Sequence, residues 1–142
     1  MRLVVFVCFV FSVFACQNRI EPKQIAEIND IILEQEQQWN AGNIEGFMQA
    51  YWQHDSLRFI SKSGIQYGWQ TVKDRYDKAY PNKERMGKLQ FEILHQDLVS
   101  ANNIQTTGTW TLFRTNDTLG GYFVLLWHKK AEGWKIISDA TL

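Results

Sequence analysis

Cysteine is almost absent from this chain. Of its two cysteines, Cys8 lies inside an apolar N-terminal run, so once that run is removed Cys16 is left alone and no internal disulfide can form. Proline is equally scarce, with only Pro22 and Pro81. There is no block of like charges, and without Arg2 the balance is 14 basic to 15 acidic residues. That near-neutral balance argues against nucleic acid, which demands a basic face to displace counterions. No hydrophobic stretch reaches the ~20 residues of a membrane-spanning helix. The run from Leu3 to Ala15 falls short of it. No His, Asp and Glu spacing suggests a metal site, and neither a nucleophile constellation nor a glycine-rich phosphate loop is present. No cofactor is expected.

The N-terminal run has a basic start at Arg2, an apolar middle and small Ala15 before Cys16, the features of a secretory signal. Val13, Ala15 and Cys16 resemble a bacterial lipobox, in which the cysteine takes a diacylglycerol and becomes the mature N-terminus. The alternative is an ordinary secretory peptide with a cysteine near its cut. The lipid reading divides the chain into a signal peptide (1–15), a short tether (16–21) and one domain (22–142), and places the protein in a bacterial cell envelope, anchored to a membrane after export. A folded domain of that length can bury about two thirds of its unfolded surface.

Within the domain, Ile25, Ile28, Ile32 and Trp39 recur at helical spacing and predict an amphipathic helix from about Pro22 to Ala41, ended by Gly42. Asn43 caps a second, short helix through Ile44, Phe47, Met48 and Tyr51, ending near Trp52. Leu57–Ser61 and Ile65–Tyr67 read as a hairpin, and Gly68 opens a third helix that Pro81 stops. Everything afterwards reads as strand: the alternation of Leu89, Phe91 and Ile93, then residues 104–114, 122–129 and 134–139. Gly108 suggests a bulge, and Gly120-Gly121 a bend. Helices followed by strands imply an α+β fold, a curved antiparallel sheet packed against three N-terminal helices.

Trp39-Asn40-Ala41-Gly42-Asn43, Phe47-Met48, Tyr51, Gly68, Tyr76, Tyr80-Pro81, Gly108-Thr109-Trp110, Gly121-Tyr122-Phe123 and Gly133 to Asp139 resemble, in order and spacing, the nuclear transport factor 2-like (SnoaL-like, cystatin-like) superfamily, and more narrowly the domain of unknown function 4440. The resemblance implies a cone-shaped cavity between the sheet and the helices, and often a homodimer across the sheet's outer face. It implies no particular reaction. Ketosteroid isomerases of this fold carry an aspartate base on the first strand and a tyrosine on the first helix. Here those places fall near Ile60 and at Ile28 and Ile32, none of which can move a proton.

Two acid-base candidates remain. His95 and Asp97 stand two apart on a strand and share the face of Leu89, Phe91 and Ile93 unless a bulge intervenes; otherwise both are solvated. Asp139 is the second. The subgroup often reads Asp-His-Thr-Ser where this chain has Asp139-Ala140-Thr141-Leu142, so no local carboxylate and histidine pair can form, and Asp139 could instead hydrogen-bond a buried tyrosine or tryptophan. Tyr51, Trp52, Phe59, Trp69, Tyr76, Tyr80, Trp110, Phe123 and Trp127 come from elements that face one another in this fold. They serve either as packed core or as walls for an apolar, ring-containing small molecule. Three functions therefore stand at this level: a tethered small-molecule binder, an isomerase, dehydratase or cyclase using His95 or Asp139, and an interaction module. One expectation is independent of that choice. Cys16→Ser releases the protein from the membrane fraction on fractionation, and an unchanged distribution defeats the lipobox reading.

Overall fold

The structure is a computed structural model that describes residues 20–142. The signal peptide, Cys8, Cys16 and most of the tether lie outside the described residues. Helix α1 (Pro22–Ala41) has the predicted bounds. Pro22 occupies the first helical position, and the Gln24 side chain accepts from the Glu21 N–H. Gly42 closes the helix in the left-handed region at φ 83°, where a Cβ would be strained. Its buried face is Ile28, Ile32, Gln35 and Trp39, so a glutamine joins the apolar stripe.

Helix α2 (Ile44–Phe47) starts on Asn43, whose side chain accepts from the Gly46 N–H, and passes into a 3-10 turn (Met48–Ala50). Strands β1 (Arg58–Ser61) and β2 (Gly64–Tyr67) form the predicted hairpin, followed by α3 (Trp69–Ala79). A one-turn helix, α4 (Lys83–Met86), precedes the strands; four residues are too few to show a period, and only Asn82, capping the Arg85 N–H, signals it. Strands β3 (Lys88–Ser100), β4 (Asn103–Phe113), β5 (Thr118–Lys130) and β6 (Gly133–Thr141) follow as a meander.

The sheet order is β2-β1-β6-β5-β4-β3. The sheet is mixed and not wholly antiparallel, because β1 lies parallel to β6. Gly120 and Gly121 do not bend the chain away; they stay in the ladder opposite Thr111 and Trp110. Gly108 is not itself bulged. A Cβ there would run into the Phe123 ring and the Glu92 carbonyl, so glycine lets Phe123 lie flat on β4.

Three bulges fall elsewhere, one of them leaving Val99 unpaired at the end of β3. In β3, Ile93 pairs with Gly108 but His95 pairs with Thr107, leaving Leu94 unpaired. In β6, Ile136 pairs with Trp127 and Ser138 with Leu126, leaving Ile137 unpaired. Each extra residue reverses which side of the sheet the following side chains face.

Helix α1 also covers the open edge of β3. The Asn40 amide donates to the Leu89 carbonyl at 3.0 Å and accepts from the Leu89 N–H at 2.8 Å, and Glu36 accepts from the Phe91 N–H at 2.8 Å. Side chains thus satisfy backbone groups that a missing neighbouring strand would have taken. The fit at Gly108 has a measurable consequence: Gly108→Ala forces Phe123 aside, and chemical denaturation is expected to show a loss of about 1–3 kcal/mol.

Candidate functional site

The bulge at Ile137 builds the site. Trp134 and Ile136 point into the core, and strict alternation would send Ser138 and Ala140 after them. The extra residue instead turns Asp139 and Thr141 inward, and Asp139 is only 3% exposed. On β6, Asp139 stands between its register partners Phe59 of the parallel β1 and Leu125 of the antiparallel β5. Both are buried apolar residues.

Two donors meet its carboxylate. The Tyr51 hydroxyl donates to Oδ2 at 2.6 Å and the Thr141 hydroxyl to Oδ1 at 2.7 Å. Tyr51 reaches it because the chain after the 3-10 turn docks alongside β6, where the Trp52 N–H donates to the Ile136 carbonyl at 2.9 Å. Burial pushes the Asp139 carboxyl up to about 6, against the opposing effects of the Tyr51 and Thr141 hydrogen bonds and the Arg75 charge. Burial and the adjacent carboxylate also raise the Tyr51 and Tyr76 phenols, which stay protonated donors. Asp139 therefore exchanges its proton near neutral pH, within a wall that otherwise offers phenol donors.

Asp139 lines a cavity of about 440 Å³ between the sheet and the helices, within the ~300–1,000 Å³ range of small-molecule pockets. One wall is an edge-to-face aromatic cluster around Trp39, whose ring lies 5.2 Å from Phe47, 6.0 Å from Tyr76 and 4.8 Å from Tyr80. The Trp39 indole N–H donates to the Met86 carbonyl, which fixes the ring. The opposite wall comes from the sheet, with Leu89, Phe91, Trp110, Leu112, Phe123 and Leu125. Gln35 contributes a buried amide, held by donation to the Phe47 carbonyl. The lining reaches the surface at a mouth between the β1–β2 turn, with Lys62 and Ser63, and Ala79 of α3, and again at Leu119, Gly120 and Leu142, all exposed.

Of the aromatics expected around a pocket, Tyr51, Phe59, Tyr76, Tyr80, Trp110 and Phe123 line this cavity. Trp69 and Trp127 are core, their indole N–H groups donating to the Met48 carbonyl and to the Thr106 hydroxyl. Trp52 lies outside, stacked on His54 at 3.9 Å with the Lys130 ammonium over its other face. His95 is a correction. The Leu94 bulge turns it and Asp97 to the outer face, where their side chains are 71% and 53% exposed and 3.1 Å apart, far from any cavity wall. Trp39, Phe47, Gln35 and Arg75 line the cavity without having been singled out from sequence. For the first three the signal was their place on the buried faces of α1 and α2; nothing in the sequence marked Arg75. Among the described residues, no group of three or more His, Cys, Asp or Glu side chains is gathered to hold a metal ion.

A protein from Shewanella oneidensis MR-1, described as NTF-2 like and of unknown function, is 35% identical, with 82% of this chain covering 97% of that one at a TM-score of 0.79. This chain belongs to the NTF2-like family. More distant solved structures share the NTF2-like fold alone. A cystatin-like domain of unknown function from Nostoc punctiforme PCC 73102 is 16% identical over 86% of this chain and 78% of its own, with a TM-score of 0.72. A ketosteroid isomerase-like protein from Erwinia carotovora atroseptica SCRI1043 is 14% identical over 85% and 96%, with a TM-score of 0.65. No protein-family model and no curated protein matches the chain, so the narrower likeness to domain of unknown function 4440 rests on its motifs.

The buried acid of this NTF2-like cone predicts a pH signature. A carboxyl whose folded-state pKa is about 6 against 3.8 binds its proton more tightly in the native state, so its effect on stability is most favourable below pH 4 and is lost as pH rises to about 6. Denaturation across that window is expected to show the wild type losing about 3 kcal/mol relative to Asp139→Asn, which cannot ionise. A constant difference between the two would contradict the buried-acid assignment.

Proposed function

We propose that this NTF2-like protein is a small-molecule-binding module whose cone takes an apolar or ring-containing ligand, held at a bacterial envelope membrane by a lipid on Cys16. The observation that supports binding is the cavity itself: about 440 Å³ of it, walled by edge-packed aromatic rings, with a hydrogen-bonded polar cluster at Asp139, Tyr51 and Thr141. A ligand's apolar body packs against the rings while one polar group reaches the carboxyl. The tether reading rests on the N-terminal sequence alone.

A second reading is favoured by one feature. Asp139 has a carboxyl poised near neutral pH beside a phenol donor, the pairing that proton transfer at a carbonyl-bearing substrate requires. That would make the protein a SnoaL-like isomerase, dehydratase or cyclase working through Asp139, with His95 taking no part. A single experiment separates the two. Native mass spectrometry and thermal-shift assays with a panel of ring-containing apolar compounds are expected to show one-to-one complexes, lost in Ala79→Trp, which fills the mouth, with the compound recovered unchanged. No complex with any compound would sink the binding reading. Conversion of a bound compound that stops in Asp139→Asn would establish the enzyme instead.

A further inference from the structure

Two cations line the cavity, and neither has a carboxylate partner. Lys73, Arg114 and Lys129 are each paired with a carboxylate, at Asp77 and Glu45, at Asp117 and at Glu27. Arg75 and Lys62, which line the cavity, form no ion pair and donate no side-chain hydrogen bond to any described residue. Arg75 is held all the same. Its guanidinium carbon stands 4.9 Å from the centre of the Phe59 ring, whose face it covers. Stacking of this kind fixes the plane and leaves the N–H edge free for a planar acceptor.

The one acid in the lining, Asp139, takes its hydrogen bonds from Tyr51 and Thr141 and forms no ion pair with Arg75. Arg85 adds to the two cations: like Arg75, it lies close enough to Tyr80, on the same wall, for its charge to act on the phenol. A low-dielectric cone with cations at its mouth concentrates their field on whatever enters.

Resting on the binding reading above, we propose that the ligand is an apolar molecule carrying one anionic group, such as a carboxylate, gripped at the mouth by Arg75 and Lys62 while its apolar body fills the aromatic cone. Asp139, buried in the sheet wall beside Phe59 and close enough to Arg75 for that charge to act on it, sets what the neighbouring part of the ligand can carry, favouring a hydrogen-bonding group over a second negative charge.

Two fluorescent probes with nearly the same ring framework test this, anionic anilinonaphthalenesulfonate and neutral N-phenylnaphthylamine. The anionic probe is expected to bind the wild type more tightly than the neutral one. Arg75→Gln should weaken the anionic probe about 10-fold or more, the scale of a lost charge-assisted hydrogen bond, and Arg75→Gln with Lys62→Gln should erase the preference. The neutral probe should change less than about twofold in these variants, which also shows that the cone is intact. Lys23→Gln, on the exposed face of α1, controls for adsorption to surface charge and should leave both affinities unchanged. If the neutral probe binds as tightly as the anionic one, or the preference survives in the double variant, the anion proposal is overturned and the binding reading stands. If neither probe binds, the binding reading itself fails.

Discussion

One unpaired residue, Ile137, decides what the cone contains. Without the bulge, β6 would present serine and alanine to the cavity after Ile136, and the carboxyl of Asp139 would face outward. With it, a charged group lies in the middle of the sheet between Phe59 and Leu125. Burying a carboxylate there is costly unless hydrogen bonds meet it, and the rest of the site can be read as what meets it. The docking of Tyr51 beside β6, the inward turn of Thr141 on the same strand and the charge of Arg75 across the cavity all lower that cost. They lower it only in part, because burial remains the largest influence on the group and keeps its pKa high.

The cavity stays open for a related reason. Helix α1 is pinned to β3 at the sheet's edge through Asn40 and Glu36, and to β5 and β6 through Glu27, which accepts from the Lys129 ammonium and the Trp134 indole N–H. Trp39 then reaches inward, and its edge-to-face contacts with Phe47, Tyr76 and Tyr80 tie α1, α2 and α3 to one another. The helices thus hold themselves together by rings with fixed geometry and do not need to collapse onto Asp139. Space above a buried acid persists where the helix wall packs on itself, while on the sheet wall the buried Trp110 indole N–H has no partner.

The elements that were legible in the sequence were those whose signal is local. The bounds of α1 follow from Pro22, the isoleucine spacing and Gly42, and the meander follows from turn residues between alternating strands. What escaped were features carried by distant partners or by single residues. The parallel pairing of β1 with β6 joins residues eighty positions apart and leaves no local trace. The Leu94 and Ile137 bulges shift parity by one residue inside apolar stretches that read as continuous strand, so His95 was offered to the cavity and lies outside it. Asp139 was legible as an acid in want of a buried tyrosine, because a carboxyl late in an apolar strand needs a donor. Arg75 was not legible at all: a basic residue on a helix reads as solvated until Phe59, sixteen residues earlier in the chain, is known to lie beneath it.

The two bulges have opposite consequences for chemistry, and the contrast argues for where function lies. Leu94 sends a histidine and an aspartate, the pair with the more familiar acid-base composition, into water, where nothing organises a ligand around them. Ile137 sends a lone carboxyl into a walled space with donors already aimed at it. A polar group placed at such cost, beside a cavity that the packing leaves unfilled, is hard to explain as core. Leu or Val at the same position would fill the gap between Phe59 and Leu125 without any need for Tyr51 or Thr141. The fold retains instead a buried acid and an unpaired guanidinium on either side of Phe59, in a cavity whose other walls are aromatic, and that combination suits a molecule with an apolar body and a polar group.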